Sequence, residues 1–479
     1  MAKVGVDEWV ARSGERIESG TGYGAILRAR WDRVPAWGRL ALVAAAAAAF
    51  PALTSSDFAV RVGINTLLLA ILALGLNVVV GWAGLLDLGY IAFYGFGAYG
   101  YALLSSDQLG HGVHLASWQS VPLVVIAAAV LGLLLGLPSR RLLGDYLAIV
   151  TLFFGQAFLE LMLNLDRVKL PGSSSPISIT GGPNGIPGVD PIRLFGHDII
   201  TTRGYYYLLL VVIVGLIVVL HLLDTSRTGR AWRAVREDPM AAGFMTIPVN
   251  AVKLMAFSFG AAIAALAGTI FAAVQVGVFP QNFDTSFLIL IYAALILGGA
   301  GSIPGAVLGA VVVGVTLELL RNPDQASVLF YGLILVALIA KVRPWRALGA
   351  VLGGLAAFGL VAHAIAAAVS SSAVAGHAAL GGPLGSAFDA WLIVPADGKT
   401  AGNWGFVLLV LGVLAFTQLD GRRRTVALVP LIYCAAFAWE NRLVDEPSIT
   451  RQILLGALLV VMMTARPYGL LGTRRVEVV

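Results

Sequence analysis

The sequence predicts an all-α, polytopic membrane protein on three observations: charge is scarce, apolar residues come in runs of spanning length, and basic residues favour one set of alternate connections. Of the 479 residues, 58% are hydrophobic and only 12% charged, where a soluble globular chain carries about 25% charge. Runs of about 18 apolar residues match the ~30 Å hydrocarbon core of a bilayer. Helices are the structure such runs adopt, because a helix satisfies its own backbone hydrogen bonds in lipid. The short alternating segments of a β-barrel, about ten residues each, are not the pattern here.

Read as spans, the apolar runs number fourteen, near 40–54, 61–80, 88–104, 119–137, 145–163, 204–222, 254–276, 286–298, 304–320, 326–340, 347–369, 403–419, 425–440 and 450–465. With the amino terminus inside and sides alternating, 23 of the 32 Lys and Arg residues fall on the inner side and 9 on the outer. Inner clusters include Lys3 through Arg39, Arg140–Arg141, Arg227 through Lys253, and Arg422–Arg424. That asymmetry obeys the positive-inside rule, so both termini are expected in the cytoplasm. The net charge of +6 is then orientation chemistry, and no nucleic-acid partner is implied. The first apolar run follows a long polar tail and reads as a retained span, with no cleavable signal peptide expected. Cys434, the single cysteine, lies inside an apolar run, so neither an intramolecular disulfide nor a cysteine metal site is expected.

The spans divide the chain into a basic cytoplasmic tail at 1–36, ten spans within 37–345, four more within 346–465, and a cytoplasmic tail at 466–479. Two connections stand out. The outer one, 164–203, holds Pro171 through Pro176 and the run Thr180-Gly-Gly-Pro-Asn-Gly-Ile-Pro187. Gly and Pro at this density dictate turns, which leaves either a flexible linker or a shaped docking surface. The inner one, 223–253, holds Asp238-Pro239, a helix-start signal in which Asp caps free N–H groups and Pro fits the first turn. Pro248 closes the segment, which predicts a helix of about two turns from Pro239 to Thr246. Met240, Phe244 and Ile247 then share its apolar face, beside the charged Arg230, Arg233, Arg236, Glu237 and Asp238. Such a helix lies on the membrane surface or fills a groove on a partner protein.

Several long stretches resemble, in order, the LivM-type permease family of branched-chain amino acid importers. They are Gly75 through Tyr94, Gly144 through Leu152, Thr180 through Ile186, Ser226 through Asp238, and Leu297 through Gly305, covering about 60–345. The resemblance implies a core of about ten spans in the bacterial inner membrane and a role as the permease subunit of an ATP-driven importer for Leu, Ile and Val. It further implies a second permease chain, two cytoplasmic ATPase subunits and an external binding protein as partners. ATP hydrolysis is expected on the ATPase subunits, so the chain itself is expected to be neither an enzyme nor the holder of a cofactor. The resemblance makes 224–250 the coupling loop, with Arg236, Glu237, Asp238, Met240, Gly243, Phe244 and Ile247 facing the ATPase. Thr180, Gly181, Gly182 and Asn184 become candidates for docking the binding protein. The family's closing sequence is matched imperfectly by Arg343-Pro-Trp-Arg-Ala-Leu and well by Arg466-Pro-Tyr-Gly-Leu-Leu471. The four extra spans therefore look inserted ahead of it.

Other chemistries find little support. Gly398-Lys-Thr400 has the ending of a phosphate loop, but Ile393 stands where its first glycine belongs. An ion-coupled secondary transporter needs acids or histidines at mid-membrane, whereas Asp87, Asp145, Glu160, Glu318 and Glu440 fall near predicted span ends. His111 and His114 read as solvated loop residues rather than metal ligands. Asn77, Thr151 and Gln156 lie within spans, either as interhelical hydrogen-bonding groups or as path-lining ones. Tyr90 and Tyr94 read as packing residues or path contacts. Glycines at 81, 84, 89, 95, 97 and 100, and at Gly298, Gly299 and Gly301, allow close approach or broken helices, a device found near transporter pathways. Together with Asp87 these residues form the candidate path. A urea or short-amide importer of the same family would share nearly every motif.

Overall fold

The computed structural model describes residues 34–472 except 55, 107–113, 140–143, 167–177, 195, 322, 343–344, 379–381, 396–397, 420, 444–449, 451, 455, 458 and 461–468. The basic stretch up to residue 33, Arg140–Arg141, the run 171–176 and half of the fourteenth span lie outside the described residues. Each of the other thirteen spans coincides with a helix. These are α1 (Ala36–Leu53), α2 (Asp57–Leu76), α3 (Tyr90–Ser105), α4 (Ser117–Ser139), α5 (Gly144–Asn164) and α6 (Thr202–Thr225). After the inner connection, with its short helices α7 (Arg227–Glu237) and α8 (Pro239–Phe244), come α9 (Val249–Gln275), α10 (Thr285–Gly298), α11 (Ile303–Leu319) and α12 (Pro323–Lys341). The added part holds α13 (Trp345–Val369), a short α14 (Gly382–Asp389), α15 (Gly398–Thr417) and α16 (Gly421–Ala438). Among the described residues, eight helices are long and apolar enough to cross a membrane, and α1, α11 and α12 hold shorter apolar stretches.

Local chemistry sets many of the helix starts. Thr201, Asp284 and Ser302 each accept a hydrogen bond from a first-turn N–H, from Gly204, Phe287 and Gly305 respectively. These side chains satisfy donors that a helix start leaves free. The chain divides into two compact units that cut across helices, the first comprising Met1–Ile71, Phe93–Leu134 and Phe158–Asn282, the second Leu72–Ala92, Leu135–Ala157 and Phe283–Val479.

In the first unit α9 is the axis. Gly97 of α3 sits so near it that a Cβ there would lie 2.2 Å from the Ala265 carbonyl oxygen, and one at Gly268 would lie 2.1 Å from that of Tyr94. Lipid gives apolar helices no hydrophobic reason to associate, so this backbone approach supplies the van der Waals contact that does. With 27 residues, α9 is about 40 Å long. At its start the Trp232 indole of α7 donates to the Val252 carbonyl at 2.8 Å. Past its end, β4 (Gly277–Val278) pairs antiparallel with β1 (Ile186–Pro187). The 223–253 and 164–203 connections thus meet opposite ends of one helix longer than the bilayer core.

The second unit holds the helix breaks, the α10–α11 pair and the added helices. Leu338 of α12 packs with Leu348 and Val351 of α13, and Val429 and Ile432 of α16 lie against them. Phe330 of α12 stacks on Trp439, with ring centroids 4.3 Å apart.

Candidate functional site

The inner connection is built by caps. The Ser226 hydroxyl accepts from Thr228 and Gly229 N–H to start α7, and the Asp238 carboxylate accepts from Met240 and Ala241 N–H to start α8. Helix α8 ends at Phe244, two residues earlier than the sequence predicts. Thr246 adopts a left-handed φ of 63°, its N–H reaches the Gly243 carbonyl, and the Ile247 N–H reaches that of Ala242. This pair of bonds is the Schellman ending of a helix, and it turns Ile247 into a half-buried position. The face that remains outside is Met240, Phe244 and Met245, at 74%, 84% and 77% exposure. Met245 is the member that heptad-style spacing missed, because the cap rotates it outward. Gly243 is also exposed, with nothing nearer to a Cβ than Val249 at 3.9 Å. On the charged side, Arg233 pairs with the Asp224 carboxylate at 3.2 Å and Arg230 donates to the Thr225 carbonyl. These arginines tie α7 to the end of α6. Arg236 and Glu237 occupy its last turn.

In the second unit two broken helices interlock. Helix α2 passes into a π-helical turn, Asn77–Trp82, and the chain then runs irregularly to α3. Between α10 and α11 the chain turns through Gly299 and Gly301 at φ 114° and 95°. The Asn77 amide oxygen accepts from Gly301 N–H at 2.7 Å, and the Trp82 indole donates to the Gly301 carbonyl at 3.2 Å. A Cβ at Gly81 would stand 2.6 Å from Gly301 N, so the two breaks touch through bare backbone. Gly84, at φ 70°, begins the irregular stretch. Further along it the Tyr292 hydroxyl of α10 donates to the Asp87 carbonyl at 2.8 Å and accepts from the Asp87 N–H. The Thr151 hydroxyl of α5 accepts from Leu88 N–H at 2.9 Å, and the Tyr90 hydroxyl donates to the Leu72 carbonyl.

Asp87 was expected near a span end, yet it is only 1% exposed. Its connection packs against α5 and α10 instead of projecting into water. One carboxylate oxygen accepts from Gly89 N–H at 3.0 Å. The other, like the Asn77 amide nitrogen, has no hydrogen-bond partner among the described residues. Glu440 is buried as well, accepting from the Ser327 and Tyr331 hydroxyls of α12 at 3.3 and 2.9 Å. Of the other candidates, Gln156 is exposed and donates to the Thr285 hydroxyl. Tyr94 belongs to the first unit and packs on Phe271 of α9. Trp82 and Tyr292, which hold the breaks together, escaped sequence reasoning because aromatic residues are unremarkable in apolar spans.

The outer connection is folded where it is described. The Thr180 hydroxyl, buried, donates to the Met162 carbonyl at 2.7 Å. Gly181, Gly182 and Gly185 all take positive φ, and a Cβ at Gly185 would meet the Val278 carbonyl oxygen at 2.1 Å. Thr180 and Gly182 therefore shape the loop from within, while Pro183 and Asn184 reach its surface. Downstream, β2 (Arg193–Leu194) pairs with β3 (His197–Asp198). Two hydrogen bonds from the Arg193 guanidinium hold the Asp198 carboxyl below the usual carboxylate range. His114 pairs with Asp190 at 2.9 Å, joining the 105–118 connection to the same surface. Among the described residues no group of three His, Cys, Asp or Glu could hold a metal ion.

Helices this long and apolar mark a multi-pass membrane protein. Residues 58–340 match the family described as branched-chain amino acid transport system / permease component, and the chain belongs to that family. It is 38% identical over 326 residues to the high-affinity branched-chain amino acid transport system permease protein LivM of Salmonella typhimurium, covering 63% of this chain and 72% of that one. The LivM protein of Escherichia coli is 37% identical over the same shares. The Salmonella typhimurium permease protein LivH is 26% identical over 58% of this chain and 91% of its own. No solved structure matches. As a permease component the chain moves a solute and works within a multi-subunit transport system.

Proposed function

We propose that this chain is the permease subunit of an ATP-driven importer that carries branched-chain amino acids across the bacterial inner membrane, with both termini in the cytoplasm. Its partners are a second permease chain, two cytoplasmic ATPase subunits and an external binding protein. The observation that carries the mechanical part is the exposed Met240–Phe244–Met245 cluster on a doubly capped helix, about 40 Å along α9 from the folded outer loop. An apolar cluster on a rigid turn suits a groove on a partner, because its shape is fixed before binding. ATP-driven closure of the ATPase pair would move α8, and α7 and α9 would carry that motion inward through the Trp232–Val252 bond.

Substrate would pass beside the interlocked breaks, where Asn77 and Asp87 each present a buried polar atom without a hydrogen-bond partner among the described residues. Leaving such an atom unsatisfied costs about 1–3 kcal/mol, a cost that a zwitterionic solute could offset in transit. The substrate assignment rests on similarity to the two LivM proteins. Reconstitution of the complete complex with its binding protein tests it: labelled leucine uptake should require ATP and the binding protein. Urea uptake in its place would move the chain to the short-amide branch. Leucine uptake by the isolated chain under an ion gradient would make it a secondary transporter and remove the ATPase partners.

A further inference from the structure

Helix α10 ends at Gly298, and the last carbonyls of any helix lack partners within it. The Leu295 carbonyl is taken by Gly299 N–H at 2.9 Å. The Leu297 and Gly298 carbonyls are satisfied from far away in sequence: Leu470 N–H donates to the former and Leu471 N–H to the latter, both at 2.9 Å. Gly469 precedes them with φ 76°. A Cβ on it would stand 2.6 Å from Gly299 N and Cα and 2.8 Å from the Ile296 carbonyl oxygen. Only glycine lets the carboxyl-terminal segment lie this near the turn. The turn is the one whose Gly301 is bonded to Asn77 and Trp82. One line of contacts therefore runs from the Leu471 backbone through Gly298 and Gly301 to the Asn77 and Trp82 side chains on the π turn of α2.

We propose that Gly469–Leu471 is a positioning strap for the translocation path. It caps α10 from outside, fixes the angle at which the Gly299–Gly301 turn meets Asn77, and thereby sets how readily the two breaks rearrange during transport. The strap follows the added helices in sequence, so the chain beyond them returns to the end of α10. The proposal rests on the reading of the breaks as part of the path.

Two variants separate the strap's contributions. Leu471→Pro removes one donor without adding bulk at the glycine, and Gly469→Val adds bulk without removing a donor. In the complete reconstituted importer Leu471→Pro is expected to lower the maximal uptake rate about fivefold, the change that follows from losing one ordinary hydrogen bond, and Gly469→Val to lower it at least as far, because its Cβ would fall 2.6 Å from Gly299 at a φ of 76°. The half-saturating concentration of loaded binding protein and the association of subunits should stay as in wild type. Leu471→Ala, which keeps the N–H, should run about fivefold faster than Leu471→Pro. Wild-type uptake from either assembled variant overturns the proposal, and so does a defect confined to subunit association in both, which would make the segment an assembly element. An Asn77→Ala importer with normal uptake, beside a slowed Leu471→Pro, would remove the path assignment while leaving the strap's effect on rate standing.

Discussion

Phe244 is a large apolar side chain 84% exposed on a helix whose two ends are both capped, and such anchors dominate interfaces when they fill a groove. Truncating one costs about 2 kcal/mol or more. Phe244→Ala is therefore expected to weaken ATPase association or uncouple hydrolysis from uptake, with membrane insertion and binding-protein docking intact. Substrate-stimulated ATPase activity and uptake measured together check this; both at wild-type level would mean that α8 only rests on lipid headgroups. Asn77 works differently, through a bond to Gly301 N–H that ties two breaks. Asn77→Ala leaves that donor without its acceptor at a cost of about 1–3 kcal/mol. The detergent-solubilised complex should then unfold at a lower temperature, and slower uptake should accompany it. An unchanged unfolding temperature would show that the bond contributes nothing to the fold.

At the scale of elements, the described part of the 164–203 loop and α8 are both fixed in shape, for separate reasons. The loop is held by glycines in left-handed conformations and by the β1–β4 pair, whereas α8 is held by the Asp238 cap and the Schellman ending. Gly185→Val should dislodge β1 from β4, since its Cβ would fall 2.1 Å from the Val278 carbonyl oxygen at a φ of 65°. The expected outcome is weaker docking of the binding protein, seen as a higher half-saturating concentration, with ATPase association preserved. If that concentration does not move, the loop serves the fold of the first unit alone. The choice between a flexible linker and a shaped surface was open in the sequence, because Gly-rich composition fits both. Pairing with Gly277–Val278 makes Ile186–Pro187 a fixed edge.

For the whole molecule the positive-inside pattern predicts an orientation, which thiol labelling can test in a Cys434→Ala background. Cysteines at Asn184 and Ser372 should react with an impermeant reagent from outside intact cells, and one at Thr228 only after the membrane is opened. Labelling of residue 228 in sealed cells would invert the topology and take the ATPase-facing role of α8 with it. We further expect the ten-span core to retain uptake when the added spans are removed by joining Arg466 to Val342, which deletes 343–465. The added helices do meet α12, where Glu440 accepts from Ser327 and Tyr331. Complete loss of uptake from an inserted, ATPase-bound deletion would make the added helices part of the working machine.

The sequence by itself determined that the chain is helical and multi-pass, where nearly every described span lies, and how α8 begins. Each of these depends on neighbours in sequence: run length against bilayer thickness, and an Asp followed by Pro. Tertiary structure decided which faces meet. In a water-soluble helix an apolar stripe marks the buried face, but lipid and protein interior are both apolar, so a membrane helix carries no such stripe. Nothing local to Asn77 announces a bond to Gly301, 224 residues away, or local to Asp87 that its connection is enclosed. The same holds for Gly469, whose seat against Gly299 exists only once α10 has ended and left carbonyls to be capped.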